Sequence, residues 1–201
     1  MDIRARKIGG YFEIIPRQFP DERGVFLESF RGDRLAEAIG HRLDIVQSNV
    51  SVSSRGTVRG VHFADVPPSQ AKYATALSGS FIDFAIDIRV GSPTFGQWDS
   101  VLLDTVDRRA VYLAEGLGHA ICSLEDDSTV MYLCSAVYDP AREHGINPLD
   151  TELGLTLPEG LTPVLSAKDA AAPSLSEAAA QGLLPRYDAC VRYYAELASL
   201  V

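Results

Sequence analysis

The sequence predicts a mainly β domain, a sandwich or barrel that ends in short helices. Three observations predict it. Short apolar runs with strand alternation recur at regular spacing, turn residues separate them, and helical periodicity is confined to one short stretch and the C-terminal end. With 46% hydrophobic and 22% charged residues, the 201-residue chain has an ordinary globular balance and can bury a substantial core as one domain.

Residues 11–16 read as a first strand closed by Pro16, Asp21-Glu22-Arg23-Gly24 as a turn, and residues 25–30 as a second strand. Residues 33–39 form the one helix of the first half, with Leu35, Ala38 and Ile39 on one side and Gly40 ending it. Strands follow at 44–52, 57–63, 71–77 and 80–89. Ser53-Ser54-Arg55-Gly56, Pro67-Pro68 and Ser78-Gly79 divide them. Beyond Gly91-Ser92-Pro93-Thr94-Phe95-Gly96 the pattern resumes at 98–103, 110–113, 120–124 and 129–136. Residues 139–168 are rich in Pro, Gly and Asp and read as a long irregular segment wrapped on the barrel, functional or ordered by packing. Residues 175–181 and 187–200 read as terminal helices within a tail from about residue 174.

The net charge of -9 argues against a nucleic-acid surface and makes a local cluster of Arg and Lys read as a specific anion pocket. No run approaches the roughly 18 apolar residues of a membrane span, and Met1-Asp2-Ile3-Arg4-Ala5-Arg6 lacks a signal-peptide core. Cys122, Cys134 and Cys190 are odd in number and show no paired spacing, which favours reduced thiols over disulfides or a metal site. The expectation is a soluble cytoplasmic protein with no membrane and no nucleic-acid partner.

The chemistry centres on Arg59-Gly60-Val61-His62-Phe63 and Gln70-Ala71-Lys72-Tyr73. Strand alternation places Arg59 and His62 on opposite faces. Without a bulge, Arg59 would sit at the rim of a pocket and His62 deeper. His41, in the loop after the first helix, reads as solvated. His62 and His119 lie on or beside strands, and a small barrel with inward histidines suggests a cupin, a jelly-roll barrel. Metal-binding cupins carry His-x-His followed by Glu, whereas position 64 here is Ala and no Glu falls between His62 and Lys72. Glu115-Gly116-Leu117-Gly118-His119 resembles the second cupin motif, with Ala114 where proline is usual. One histidine from each motif is too few ligands, so neither metal nor cofactor is expected. The imidazole is then free for proton transfer, a carboxylate behind it would set its basicity, and a Lys would stabilise an oxyanion next to it. Asp83, Asp87, Asp127, Asp150 and Asp169 are all candidate carboxylates, and spacing does not choose among them.

Over roughly residues 10–185 the chain resembles the dTDP-4-dehydrorhamnose 3,5-epimerase family. The stretches that carry the resemblance are residues 21–26, Gln47-Ser48-Asn49, Arg59-Gly60-Val61-His62-Phe63, Gln70-Ala71-Lys72 and residues 87–96. Gly118-His119, Tyr138-Asp139-Pro140 and Leu165-Ser166-Ala167-Lys168-Asp169 complete the set. Any one is weak; the set in this order is specific. The resemblance implies a metal-free cupin that epimerises a dTDP-4-keto-6-deoxyhexose in deoxysugar biosynthesis, including relatives that serve antibiotic sugars. It makes His62 the base paired with Asp169, Lys72 the group on the keto oxygen and enolate, and Tyr132 the proton donor to the opposite face. It gives Arg59 to the diphosphate and places Gln47 and Asn49 near the nucleotide. Tyr138 lies against the base, and His119 and Glu143 are further pocket residues. Arg23, Phe26 and Glu28 match a strand, within about residues 1–30, that a homodimer exchanges into the neighbouring site.

Judged without the resemblance, Tyr132 reads as a core tyrosine, Tyr138 as a packing residue, Asp169 as a loop or cap residue and Arg89 as structural. Two departures from the family pattern touch the pocket wall. Gly118-His119-Ala120-Ile121 stands where Gly-His-Gly-Phe is common, and Gly145-Ile146-Asn147-Pro148 lacks a Trp common past Tyr-Asp-Pro. They leave open inversion at carbon 3, carbon 5 or both. A sugar-nucleotide ketoisomerase and a non-catalytic nucleotide-sugar-binding cupin are the competing readings.

Overall fold

The strands pair into two facing antiparallel sheets, seen in a computed structural model that describes residues 1–200. Numbered along the chain, one sheet has the spatial order β1 (Asp2–Ala5), β2 (Tyr11–Ile15), β10 (Ala110–Leu113), β7 (Lys72–Ser78), β12 (Ser128–Cys134) and β5 (Gln47–Ser53). The other runs β13 (Glu143–Gly145), β6 (Val58–Ala64), β11 (Gly118–Ser123), β8 (Ser80–Ile86) and β9 (Trp98–Asp104). β3 (Gln18–Asp21) and β4 (Gly24–Leu27) form a separate hairpin. Four helices, α1 (Gly32–Ile39), α2 (Ala167–Ala170), α3 (Leu175–Ala180) and α4 (Tyr187–Ala198), complete the described chain. This is the jelly roll that the sequence predicts.

Three apolar layers hold it. Between the sheets, Phe81, Val101 and Leu103 meet Val111, Leu113 and Val130. The outer face of the five-stranded sheet carries Val58, Val61, Phe63 and Phe84, covered by Leu153, Leu175 and Leu184. The outer face of the six-stranded sheet around β2 and β10 is covered by Leu35 of α1 and by Tyr194. Burial of these side chains is the main favourable term in folding. The segment at 139–168 is therefore ordered by packing, as expected. It also holds two regular pieces that its composition hides: β13, paired with β6, and α2, capped by the Ser166 hydroxyl, which accepts from the Asp169 N–H.

Several boundaries move. The strand expected at 44–52 starts only at Gln47, and the one at 25–30 ends at Leu27. β1 and β3 carry no alternating apolar signal because most of their residues are exposed. His41 is buried, not solvated, with Nε2 3.4 Å from the Tyr112 hydroxyl, because the loop after α1 folds back onto β10. Arg89 is structural, as read. It donates through Nε and Nη2 to the two Asp87 oxygens at 2.8 Å, and that carboxylate also accepts from Ser92 and Thr94.

Candidate active site

His62 and His119 are direct partners across β6 and β11. From that pair to the next, three residue steps on β6 (His62 to Arg59) oppose two on β11 (His119 to Ile121), so β6 carries a bulge. Gly60 allows it. Its φ is +129°, and a Cβ there would lie 2.5 Å from the His119 carbonyl oxygen. The extra residue resets the alternation. Val58 and Val61 both pack outward in the core, and Arg59 and His62 both line the same cavity. The expectation that Arg59 and His62 face differently is thereby corrected.

The cavity has a volume of about 320 Å³ and is lined from both sheets. The five-stranded sheet contributes Arg59, His62, His119 and Ile121; the six-stranded sheet contributes Asn49, Lys72 and Tyr132. The polar wall from β5 reflects an inverted strand. Gln47, Asn49, Ser51 and Ser53 turn inward, while Val50 and Val52 point to solvent.

His62 Nε2 lies 2.7 Å from Asp169 Oδ1, a pairing between residues 107 apart in sequence. Their side chains are 38% and 7% exposed. Burial alone would raise the Asp169 carboxyl. The His62 hydrogen bond and charge, with the Ser166 and Gly60 contacts, outweigh it and hold Asp169 below the usual carboxylate range. An ionised carboxylate only accepts, so Nε2 carries the proton and Nδ1 is left as the basic nitrogen.

Tyr132 stands on the opposite sheet, its hydroxyl 3.1 Å from Ser51 Oγ. Burial pushes its phenol up, so it keeps its proton at neutral pH. Lys72 enters from β7, next to β12, and its ammonium makes no hydrogen bond or ion pair to any described residue. Arg59 donates through Nε to Ser53 Oγ at 3.1 Å and through Nη2 to the Val52 carbonyl at 3.2 Å, while Nη1 has no partner among the described residues. His119 is fixed from behind, its Nε2 2.6 Å from Asp83 Oδ2.

Tyr138 and Glu143 line the cavity as well. Gln47 does not line it. Its amide nitrogen donates to Asn49 Oδ1 at 2.9 Å and its Oε1 accepts from the Tyr138 N–H at 2.9 Å, which steadies both. Arg23, Phe26 and Glu28 lie outside this chain's own cavity, on or just after the exposed β3–β4 hairpin. The sequence reading does not single out Lys168, which lines the cavity beside Asp169. Its signal was a cation next to the dyad's acid in the 165–169 stretch. Among the described residues no group of three or more His, Cys, Asp and Glu side chains is disposed to hold a metal ion.

A jelly-roll barrel holding a His–Asp dyad, a facing tyrosine and three cations in one cavity defines the class: a sugar-nucleotide epimerase of cupin type. The chain belongs to the dTDP-4-dehydrorhamnose 3,5-epimerase family, whose profile matches residues 5–177. It is 54% identical over 190 residues to a dTDP-4-dehydrorhamnose 3-epimerase of Streptomyces niveus, covering 94% of this chain and 91% of that one. It is 55% identical over 190 residues to a dTDP-4-dehydrorhamnose 3,5-epimerase of Mycolicibacterium smegmatis, covering 94% of each. A crystal structure of a 3'-monoepimerase from Streptomyces bikiniensis in complex with dTDP-quinovose superposes with a TM-score of 0.94 at 44% identity, over 96% of this chain and 98% of that one.

Proposed function

We propose that the protein inverts carbon 3 of a dTDP-4-keto-6-deoxyhexose by removing and returning the proton next to the ketone. The observation that carries this is the placement of His62 and Tyr132 on opposite sheets of one cavity, with Lys72 beside the tyrosine. Inversion needs a base on one face of the sugar ring and an acid on the other. His62 Nδ1 takes the proton from carbon 3 and the electron pair moves to the keto oxygen, where the Lys72 ammonium stabilises the enolate. Tyr132 returns a proton to the opposite face of carbon 3. Exchange with solvent then restores the imidazole and the phenol. Asp169 holds the tautomer and stabilises the imidazolium. No step in this scheme calls for a metal or a cofactor.

Arg59 and Lys168 suit the diphosphate, and bidentate contact with phosphate oxygens fits a guanidinium. Asn49, with Gln47 and Tyr138 behind it, lies where the nucleotide would enter, and His119 and Glu143 contact the sugar. Binding the nucleotide supplies positioning energy remote from the reacting carbon. Relatives that invert carbon 3 alone and relatives that invert carbons 3 and 5 stand equally close, so carbon 3 is the shared claim.

We also infer a cytoplasmic homodimer in which the β3–β4 hairpin brings Arg23, Phe26 and Glu28 to the neighbouring cavity. Two apolar surfaces support it. Phe26 on the hairpin is 68% exposed, and Val50, Val52 and Leu77 are bare on the outer face near the β5 edge. For the site, the test is incubation with a dTDP-4-keto-6-deoxyhexose in deuterated water. Deuterium at carbon 3 is expected. No uptake at carbon 3 or carbon 5 would overturn the epimerase reading. For the dimer, sedimentation with assay suffices: a fully active monomer would refute a shared site.

A further inference from the structure

Glu115 is a buried acid outside the cavity, 2% exposed, in the short connection between β10 and β11. The connection is pinned against α4. Gly116 has φ +86°, a Cβ there would lie 2.5 Å from Cys190 Sγ, and the Tyr194 hydroxyl donates to the Glu115 carbonyl. The carboxyl itself reaches the start of β7 in two steps. Ser135 donates to Glu115 Oε1 at 3.3 Å, and Ser135 Oγ accepts the Ala71 N–H at 2.8 Å. Ala71 is the residue before Lys72, and Lys72 is paired on its two sides with Leu113 and Cys134. The ends of β10 and β12 and the start of β7 are thus tied together at this acid. Its second oxygen, Oε2, is buried without a hydrogen-bond partner.

A buried carboxyl oxygen left without a hydrogen bond costs free energy, and a nearby cation offsets part of that cost when the group is ionised. Burial pushes the Glu115 carboxyl up, and the backbone N–H groups, the Ser135 hydroxyl and the Lys72 charge pull it back. The other titratable groups that respond to it are Tyr112 on β10 and Cys190, Tyr193 and Tyr194 on α4, all neutral in their ordinary state. Two cations lie near this connection: Arg89 is paired with Asp87, whereas Lys72, whose charge acts on the Glu115 carboxyl, has no ion pair of its own among the described residues.

We propose that Glu115 is a positioning residue for Lys72. Through Ser135 and the Ala71 amide it fixes the strand end that carries the ammonium, and its carboxylate is the counter-charge held behind that ammonium. This rests on Lys72 being the group that stabilises the enolate. Glu115 then keeps that cation preorganised and aimed at the keto oxygen without touching the substrate.

The test is a double-mutant cycle read by deuterium exchange at carbon 3. Glu115→Gln keeps the shape and an acceptor for Ser135 but removes the charge. It should lower kcat about tenfold while KM and dTDP affinity stay at wild-type values, the signature of an interaction made in the transition state. In the Lys72→Met background, whose slow exchange is followed over days at high enzyme concentration, Glu115→Gln should cause no further loss. The same fold-loss in both backgrounds would overturn the proposal while leaving the role of Lys72 intact. Wild-type exchange in Lys72→Met alone would instead remove the Lys72 role, and this inference with it. If Glu115→Gln does not fold, Ser135→Ala takes its place in the same cycle, where no further loss beyond Lys72→Met supports the proposal and an equal loss in both backgrounds overturns it.

Discussion

The molecule holds two His–Asp pairs side by side, and they are not alike. His62 and His119 face one another across β6 and β11, each with a short contact to a carboxylate, 2.7 Å to Asp169 and 2.6 Å to Asp83. The first pair opens to the cavity with the histidine 38% exposed, and its acid comes from a helix far along the chain. The second is closed. Its histidine is 8% exposed, its acid is fully buried on the neighbouring strand β8, and the Tyr11 hydroxyl donates to the other Asp83 oxygen at 3.1 Å. A histidine that must take up and release a proton needs solvent and substrate on one side. A histidine that only orients, as His119 does at the cavity wall, needs a fixed partner behind it. The proposed reaction therefore assigns proton transfer to the open pair and positioning to the closed one, and the difference it uses is burial.

The largest effect expected from this contrast falls on stability. Asp83→Asn breaks a buried network and leaves His119 and Tyr11 with an altered partner, so unfolding free energy should drop by about 3–5 kcal/mol. Urea denaturation measures it. A variant as stable as wild type would mean that the closed pair is not architectural. Asp169→Asn should do the reverse. Its kcat should fall about a hundredfold, equivalent to roughly 2.7 kcal/mol in the barrier, with the urea midpoint lowered far less than in Asp83→Asn; loss of stability without loss of rate would erase the distinction.

A smaller effect lies in the acid range. Asp169 is held below its unfolded value, so its contribution is present above the unfolded carboxylate pKa of about 4 and is lost as pH falls through the lower folded value. Asp87, held low against the pull of its own burial by Arg89, Ser92 and Thr94, acts in the same window. The difference between wild type and Asp169→Asn in denaturation followed from pH 6 downward isolates the first contribution: it should shrink toward zero at the acid end. A constant difference would contradict the linkage. The smallest effect belongs to a third pair, His144 with Asp65 at 2.8 Å, whose acid is 47% exposed. Asp65→Asn should change stability by no more than about 1 kcal/mol, and thermal unfolding would show whether exposure orders the three pairs.

Much of this was legible in the sequence, and the exceptions have physical causes. Period-2 patterns located most strands of both sheets, because alternation is a local property. Which face of a strand is the core is not local. β5 puts polar residues inward and valines outward, so its pattern marks a strand but not its orientation. The bulge at Gly60 is a register relation between two strands, and for that reason Arg59 was expected to turn away from His62. His119 shows its partner Asp83 only once β8 and β11 are paired. Asp169 is one of several acids until the chain folds, and only the family pattern singled it out. Arg23, Phe26 and Glu28 lie outside this chain's own cavity, and only the family pattern attached them to a site.

The central claim is that the open pair, and not the closed one, performs the proton transfer. The direct measurement is deuterium incorporation at carbon 3 of the dTDP-4-keto sugar by His62→Ala, alongside its affinity for dTDP. The expected result is no label at carbon 3, with dTDP bound as tightly as by wild type. Label entering carbon 3 at the wild-type rate would contradict the claim, because the base would then be another residue.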